Sequence, residues 1–425
     1  MASAPSRPPL LFLAPVVPRS AGNGLAMRSF LFLDALAAQH EIHLHVIPVS
    51  EAAPLPRPSA ELKARVACVT VHDLPAERRE YRAFAETADP VQRAARLAAL
   101  PWPIACRFET GAVCRAILEA TPKPALLHVA RGYLAPFLAP LLEAWPRPAL
   151  TLDLDDYESA THAAFAALAR TRGDAAADHW RLEADRYRRL EAQILPQIDR
   201  VFVANPTDRA RLAARFGQAE RFVHVPNAAP PVPQTRQKPR LRWMPRPPLR
   251  LLFVGTLGYL PNEDAVAWLC AEILPRLRDR LGARAVSLRV AGARPSRRLR
   301  GDIRAARAGL SANPADLAPL YAEATLAVAP IRAGGGSRIK ILEAFLHRRP
   351  VVATRAAADG LEVEDGTHLC LADDPDAFAA ACARLAAEPD RAREIADRAH
   401  AFAIARHDPA LIGARIRASL PPPPG

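Results

Sequence analysis

Leu249-Arg250-Leu251-Leu252-Phe253-Val254-Gly255-Thr256-Leu257-Gly258 decides the fold: a strand-length apolar run closes on a glycine turn. Asn262 then stands where it would cap a helix, with Glu263 and Asp264 well placed in the electropositive first turn. Val266, Leu269, Cys270, Ile273, Leu274 and Leu277 give that helix an i, i+3/i+4 apolar face. Strands read at residues 287–291, 326–329, 351–354 and 368–371 alternate with further helices. The same rhythm opens the chain. Residues 10–17 form a buried-strand run, Gly22-Asn23-Gly24 a tight turn, Leu25, Phe30, Leu33 and Leu36 a helical face, and residues 41–49 a second strand. Strands near 66–71, 125–129, 149–154, 200–204 and 222–225 follow, with a charged helix over about 178–193 and another after Pro206. Prolines and basic residues crowd the stretch from Ala228 to Pro248, a linker signal. The expected fold class is α/β: two doubly wound, Rossmann-like domains at 1–228 and 249–420, joined by a Pro-rich linker at 229–248.

Composition narrows the function. The 425 residues, half of them hydrophobic and 24% charged, suit two or three domains with cores and exclude a disordered chain. The 43 prolines exclude a long coiled coil. No apolar run reaches the roughly 18 residues of a membrane span, and prolines in the opening run suit a strand better than a leader, so a cytoplasmic protein is expected. Arginine supplies nearly all of the positive charge behind a net +13; the lysines are Lys63, Lys123, Lys238 and Lys340. Codon bias and attraction to anions both account for that excess. No basic run is interleaved with aromatics, so nucleic acid is not an expected partner. The six cysteines form no CxxC pair and have no histidines at metal-finger spacing, which predicts buried reduced thiols.

The chemistry concentrates in Gly334-Gly335-Gly336-Ser337-Arg338-Ile339-Lys340-Ile341-Leu342-Glu343-Ala344, which follows an apolar strand and opens a helix. Glycines let backbone amides approach an anion, the helix start adds a positive dipole end, and Arg338 and Lys340 add fixed charge. Glu343, farther along the helix, is placed to accept hydrogen bonds from sugar hydroxyls. Gly22-Asn23-Gly24 falls short of a dinucleotide fingerprint because Met27 stands at the third glycine position; it reads equally as a plain turn or a ligand loop. No G-x-S-x-G, H-E-x-x-H or Walker A sequence occurs.

The run from Phe253 to Val266 resembles the start of the nucleotide-sugar domain of family 4 glycosyltransferases. Ala315-Asp316-Leu317-Ala318-Pro319-Leu320-Tyr321, Val328-Ala329-Pro330 and the glycine-rich Arg-x-Lys-x-x-Glu helix resemble the same family in the same order, as do Val225-Pro226-Asn227 and Gly22-Asn23-Gly24. The resemblance implies the GT-B fold, two Rossmann-like domains facing a central cleft, with the last helix returning to the first domain. It implies transfer with retention of configuration and no bound metal or other cofactor. Where the family often has a first glutamate this chain has Gly335, which resembles a subgroup with a glycine-rich loop. By resemblance Glu343 holds the donor ribose, Arg338 and Lys340 neutralise the diphosphate, and Gly255, Gly334, Gly335, Gly336 and Ser337 line the donor site.

Asp153-Leu154-Asp155-Asp156-Tyr157-Glu158 ends a strand of the first domain. Its literal DxD admits a Mg²⁺ or Mn²⁺ site, and its acids could simply cap the following helix; contact with acceptor hydroxyls is the favoured reading. Asp153 is accordingly grouped with the catalytic residues, and Gly22, Asn23, Gly24, Arg131, Asp155 and Glu158 with the acceptor or cleft. Arg131 is expected to touch acceptor or phosphate, while His128 reads as a core histidine. The expected function is a hexosyltransferase-type glycosyltransferase moving a sugar from a nucleoside-diphosphate donor to a saccharide or lipid-linked acceptor in polysaccharide or glycolipid assembly. A peripheral contact with the inner face of a membrane is expected, with the arginine excess on the first domain. The alternatives are a nucleotide-sugar epimerase of the same fold and a non-catalytic nucleotide-sugar-binding protein.

Overall fold

The computed structural model describes residues 7–48, 56–74, 92, 95, 100–106, 110–145, 147–174, 176–230, 249–335 and 338–422. The chain divides into two compact units: residues 1–228 with 409–425 and the short piece 335–337, and residues 229–334 with 338–408. In the first unit β1 (Pro9–Ala14), β2 (Glu41–Val46), β3 (Cys68–Val71), β4 (Leu126–Ala130), β5 (Ala149–Asp155), β6 (Arg200–Val203) and β7 (Phe222–His224) form a parallel sheet. Its order is β3-β2-β1-β4-β5-β6-β7. In the second unit β8 (Leu249–Val254), β9 (Val286–Gly292), β10 (Gly309–Ala312), β11 (Leu326–Ala329), β12 (Val351–Ala353) and β13 (Cys370–Leu371) pair in parallel as β10-β9-β8-β11-β12-β13. Both orders are doubly wound, with switch points at β1/β4 and β8/β11, and such sheets bind ligands beyond the carboxyl ends of those strands.

Local chemistry explains the elements. The central strands carry continuous apolar runs because both of their faces are covered. Asn23 caps the helix Gly24–Ala37, its side chain accepting from the Ala26 amide at 2.9 Å. The helix Pro409–Ala418 belongs to the first unit, where Ile412 and Ile416 pack among Phe30, Leu31 and Leu36. No helix among the described residues is long and apolar enough to cross a membrane.

Several expectations change. β1 stops at Ala14, not residue 17, because Pro15 has no amide to extend the ladder. β2 likewise stops at Val46, and β10, too short and small to show in the sequence, is an added edge strand. Asn262 does not cap: the helix Leu260–Trp268 starts earlier, at Tyr259, with Pro261 in its first turn. The helix expected to run on to Leu277 widens into a π turn over Leu269–Ile273 before Leu274–Leu281. Pro275 has no amide for the i−4 carbonyl, and the wider turn accommodates its ring. The linker, apart from Ala229 and Pro230, lies outside the described residues, as do residues 423–425 of the tail. All six cysteines are free thiols; five are buried and Cys68 is half-buried.

Candidate functional site

In the second unit the β8/β11 switch point carries Gly255 after β8 and Gly334 after β11, with Glu343 in the helix Ile339–Leu346. Gly255 follows β8 directly, and a Cβ there would lie 2.9 Å from Asn262 Nδ2, so any side chain would push Asn262 aside. Asn262, freed from capping, donates from Nδ2 to the Thr256 carbonyl at 2.9 Å and accepts from Lys340 Nζ. Lys340, in the helix Ile339–Leu346, also sits 5.0 Å over the Phe253 ring. Burial, with Arg338 adding to it, lowers the Lys340 ammonium to about 7. Gly255, Asn262 and Lys340 thus form one contact group.

Arg338 stands at the N-terminus of that helix, donating from Nε to the Asp359 carbonyl at 2.9 Å, with the Asp359 carboxylate 4.0 Å away. Glu343 points elsewhere: the Tyr321 hydroxyl donates to its Oε2 at 3.1 Å. Burial raises the Glu343 carboxyl to about 7; the Tyr321 bond opposes this and Asp316 adds to it. Gly334 adopts φ +114, a conformation that suits glycine, and Gly335 continues the loop; Gly336 and Ser337 lie outside the described residues.

The sequence did not reveal the brace at the start of this loop. Arg332 holds Asp264 through two bonds of 2.9 and 2.6 Å and lies 5.1 Å over Trp268. Asp264, expected to complement the helix dipole, is instead the buried partner of that guanidinium. Acid and arginine are 68 residues apart, and no local signal links them.

In the first unit the predicted carboxylates gather around two arginines. Arg28, fully buried on the helix behind Gly22-Asn23-Gly24, grips Asp153 with contacts of 2.8, 2.8 and 3.0 Å. It also donates to the Val225 carbonyl at 3.0 Å and to Asn227 Oδ1 at 3.1 Å. Burial opposes the Arg28 charge, yet Asp153, Asp155 and Asp156 hold it above its ordinary value. Arg28 was missed because an arginine in an apolar helical run reads as a surface residue.

Arg131 faces Asp155 at 3.1 Å, Asp156 at 3.5 Å and Glu158 at 2.5 Å. Three carboxylates thus surround one guanidinium. Arg131 (φ +80) and Asp155 (φ +60) both occupy the left-handed region. The Asp156 amide bonds the Leu154 carbonyl at 2.7 Å around Asp155, a γ-turn with positive central φ. Two such residues cost on the order of 1–3 kcal/mol each, which the surrounding ion pairs offset. The acids do not supply the first-turn acceptor of the next helix, Glu158–Thr171, at Ser159; Glu191 takes its amide at 2.9 Å. Among the described residues no group of three or more His, Cys, Asp or Glu is arranged to hold a metal ion. His128 is a core residue between Phe12 and Phe32, bonded to Thr151 at 2.9 Å.

Comparisons with known proteins agree with this architecture. Residues 248–388 match the family described as Glycosyl transferases group 1. No curated protein matches the sequence significantly. Sucrose-phosphate synthase from Thermosynechococcus elongatus superposes with a TM-score of 0.66 at 17% identity, over 97% of this chain and 98% of its own. The UDP-forming α,α-trehalose-phosphate synthase from Burkholderia xenovorans, in complex with glucose-6-phosphate, gives 0.64 at 15% identity, over 97% and 100%. Anabaena HepE, in complex with UDP and glucose, gives 0.62 at 16% identity, over 97% and 99%. At such identities the likeness is one of fold. The chain thus has the GT-B fold, and residues 248–388, in its second unit, match the Glycosyl transferases group 1 family.

Proposed function

We propose that the protein is a retaining, metal-independent glycosyltransferase that moves a hexose from a nucleoside-diphosphate sugar to a saccharide or lipid-linked acceptor in polysaccharide or glycolipid assembly. The observation that carries this reading is the glycine loop at the β8/β11 switch point, which leads into a helix bearing Arg338, Lys340 and Glu343. Amides at the helix start and two cations suit a diphosphate; a carboxylate farther along suits ribose or sugar hydroxyls. The family match over this segment and the UDP and glucose bound to HepE support the same ligand class.

Transfer breaks the bond between the anomeric carbon and the diphosphate oxygen, which keeps the electron pair. Arg338 and Lys340 stabilise the charge that develops there. The acceptor hydroxyl forms the new bond to the anomeric carbon and passes its proton to the departing diphosphate oxygen. Asp155 and Glu158 are assigned the acceptor contact, with Gly22-Asn23-Gly24 as the neighbouring loop. Asp153, bound on both oxygens by Arg28, anchors that cluster. The enzyme would work in the cytoplasm, at the inner face of the membrane when the acceptor is lipid-linked.

Thermal shift against ADP, GDP, UDP and TDP tests the reading. One of them at a hundred times its dissociation constant should stabilise the protein by about 2.7 kcal/mol. The corresponding donor should then be consumed in proportion to added acceptor. Consumption of donor without acceptor, giving an isomeric nucleotide sugar, would establish the epimerase instead. No shift with any nucleotide would remove the proposal.

A further inference from the structure

We propose that Tyr321 is the positioning residue for Glu343, fixing that carboxylate in the orientation from which it receives the donor's hydroxyls. This rests on the glycosyltransferase reading and adds a residue to it. Tyr321 lies in the helix Ala318–Glu323 and is buried, with its hydroxyl 3.1 Å from Glu343 Oε2. Its ring stacks on His347 at 4.5 Å and 9°. His347, four residues beyond Glu343, is the C-cap of the same helix, so the helix that carries the carboxylate also clamps the phenol that holds it. The phenol occupies a lone pair on Oε2 and leaves the other acceptor positions for a ligand. A glutamate fixed before binding loses less rotamer freedom when the ligand arrives.

The groups around Glu343 set a pH signature. Tyr321 and Asp316 approach from the segment ahead of β11; Lys340 shares its helix, His347 is that helix's C-cap, and Arg349 follows it. Burial and Arg349 lower His347 to about 4, so it stays neutral over the working range. Glu343, raised to about 7, ionises within that range, and the Tyr321 bond opposes the rise. Glu343 accepts fully only when ionised, so donor affinity should fall as pH drops through its titration. Tyr321→Phe keeps the stacked ring and removes the donor. The Glu343 midpoint should then move up.

The test combines two measurements. Carboxyl ¹³C NMR of the ligand-free protein should show the Glu343 midpoint higher in Tyr321→Phe than in wild type, whatever the protein's activity. With the donor identified above, Tyr321→Phe should raise KM about three- to tenfold near pH 6.5, with kcat changed less than about twofold. The ratio of variant to wild-type KM should fall by pH 8.5, where Glu343 is ionised in both proteins, to the smaller defect that lost orientation alone leaves, and Lys340 affects both proteins alike. In a Glu343→Gln background, whose amide does not titrate, Tyr321→Phe should add little. An unmoved NMR midpoint, or a KM defect independent of pH that persists in the Gln background, would overturn the assignment and leave the glycosyltransferase reading intact. A shifted midpoint in a protein that uses no nucleotide-sugar donor would keep the Tyr321–Glu343 coupling and overturn its role in donor binding.

Discussion

At the residue scale, Lys340 and Glu343 are tuned in opposite senses by the same cause, burial near the glycine loop. Lys340 carries its charge below about 7 and loses it as pH rises; Glu343 gains its charge above about 7. A diphosphate needs the first charged and a ribose the second, so kcat/KM for donor should be bell-shaped with its maximum near neutrality. Steady-state rates between pH 5.5 and 9 check this, and a flat profile would show that one of the two groups does not meet the donor. Arg338→Ala or Lys340→Ala should lower kcat about a hundredfold, the loss expected on removing one preorganised donor from a developing anion. Glu343→Gln should mainly raise donor KM, because uniform binding is what it removes. A Lys340→Ala variant defective only in KM would reassign that residue to ground-state binding.

At the element scale, the inner strands of the first unit enclose histidines held neutral. Burial, with Arg28 nearby, lowers His128 on β4 to about 3; burial, with His72 and His43, lowers His45 on β2 to about 3. A base with a depressed folded pKa binds protons only when unfolded over the interval between the two values. Stability should therefore fall as pH drops below about 6.5, by up to about 1.4 kcal/mol per pH unit for each histidine. His128 is the better probe because its Nε2 has no hydrogen-bond partner among the described residues and its ring stacks on Phe32. Calorimetry of His128→Phe between pH 7.5 and 5 should show a shallower loss of Tm than wild type. An equal slope would mean that His128 is charged in the folded protein. The Arg28–Asp153 pair next to it belongs to the same scale: it ties the helix Gly24–Ala37 to β5 and to the loop after β7.

At the scale of the whole molecule, the net charge of +13 is unevenly spread. The first 228 residues are close to balance, with 27 basic and 24 acidic side chains, whereas residues 276–307 hold eleven arginines against two acids. The excess expected on the first domain therefore lies in the linker and the second unit. Arg297, Arg298 and Arg304 are exposed on the helix Arg297–Ala305, opposite its buried Leu299 and Ile303. No aromatic residue occurs between 276 and 307, so the surface offers charge without stacking. If the peripheral membrane contact exists, anionic vesicles should co-sediment the protein and neutral ones should not, with binding weakened by salt. Arg297→Glu combined with Arg298→Glu and Arg304→Glu should release it without lowering Tm. Equal binding to both vesicle types, or to neither, would leave codon bias as the origin of the charge.

The alternation of apolar runs, glycine turns and amphipathic helices determined by itself that the chain builds two doubly wound sheets, because strand and helix periodicities are local properties. It also determined the glycine loop and its three charged residues, since loop, strand and helix there are contiguous. Only the tertiary structure decided what those charges touch. Asn262 turned from a cap into the partner of Lys340, and Asp264 from a dipole complement into the partner of Arg332. Arg28, which no sequence signal singled out, became the anchor of Asp153, and Tyr321 became the clamp on Glu343. Each pair joins residues between 22 and 125 positions apart, and buried polar groups choose partners by proximity in the folded chain, which no spacing in the sequence encodes.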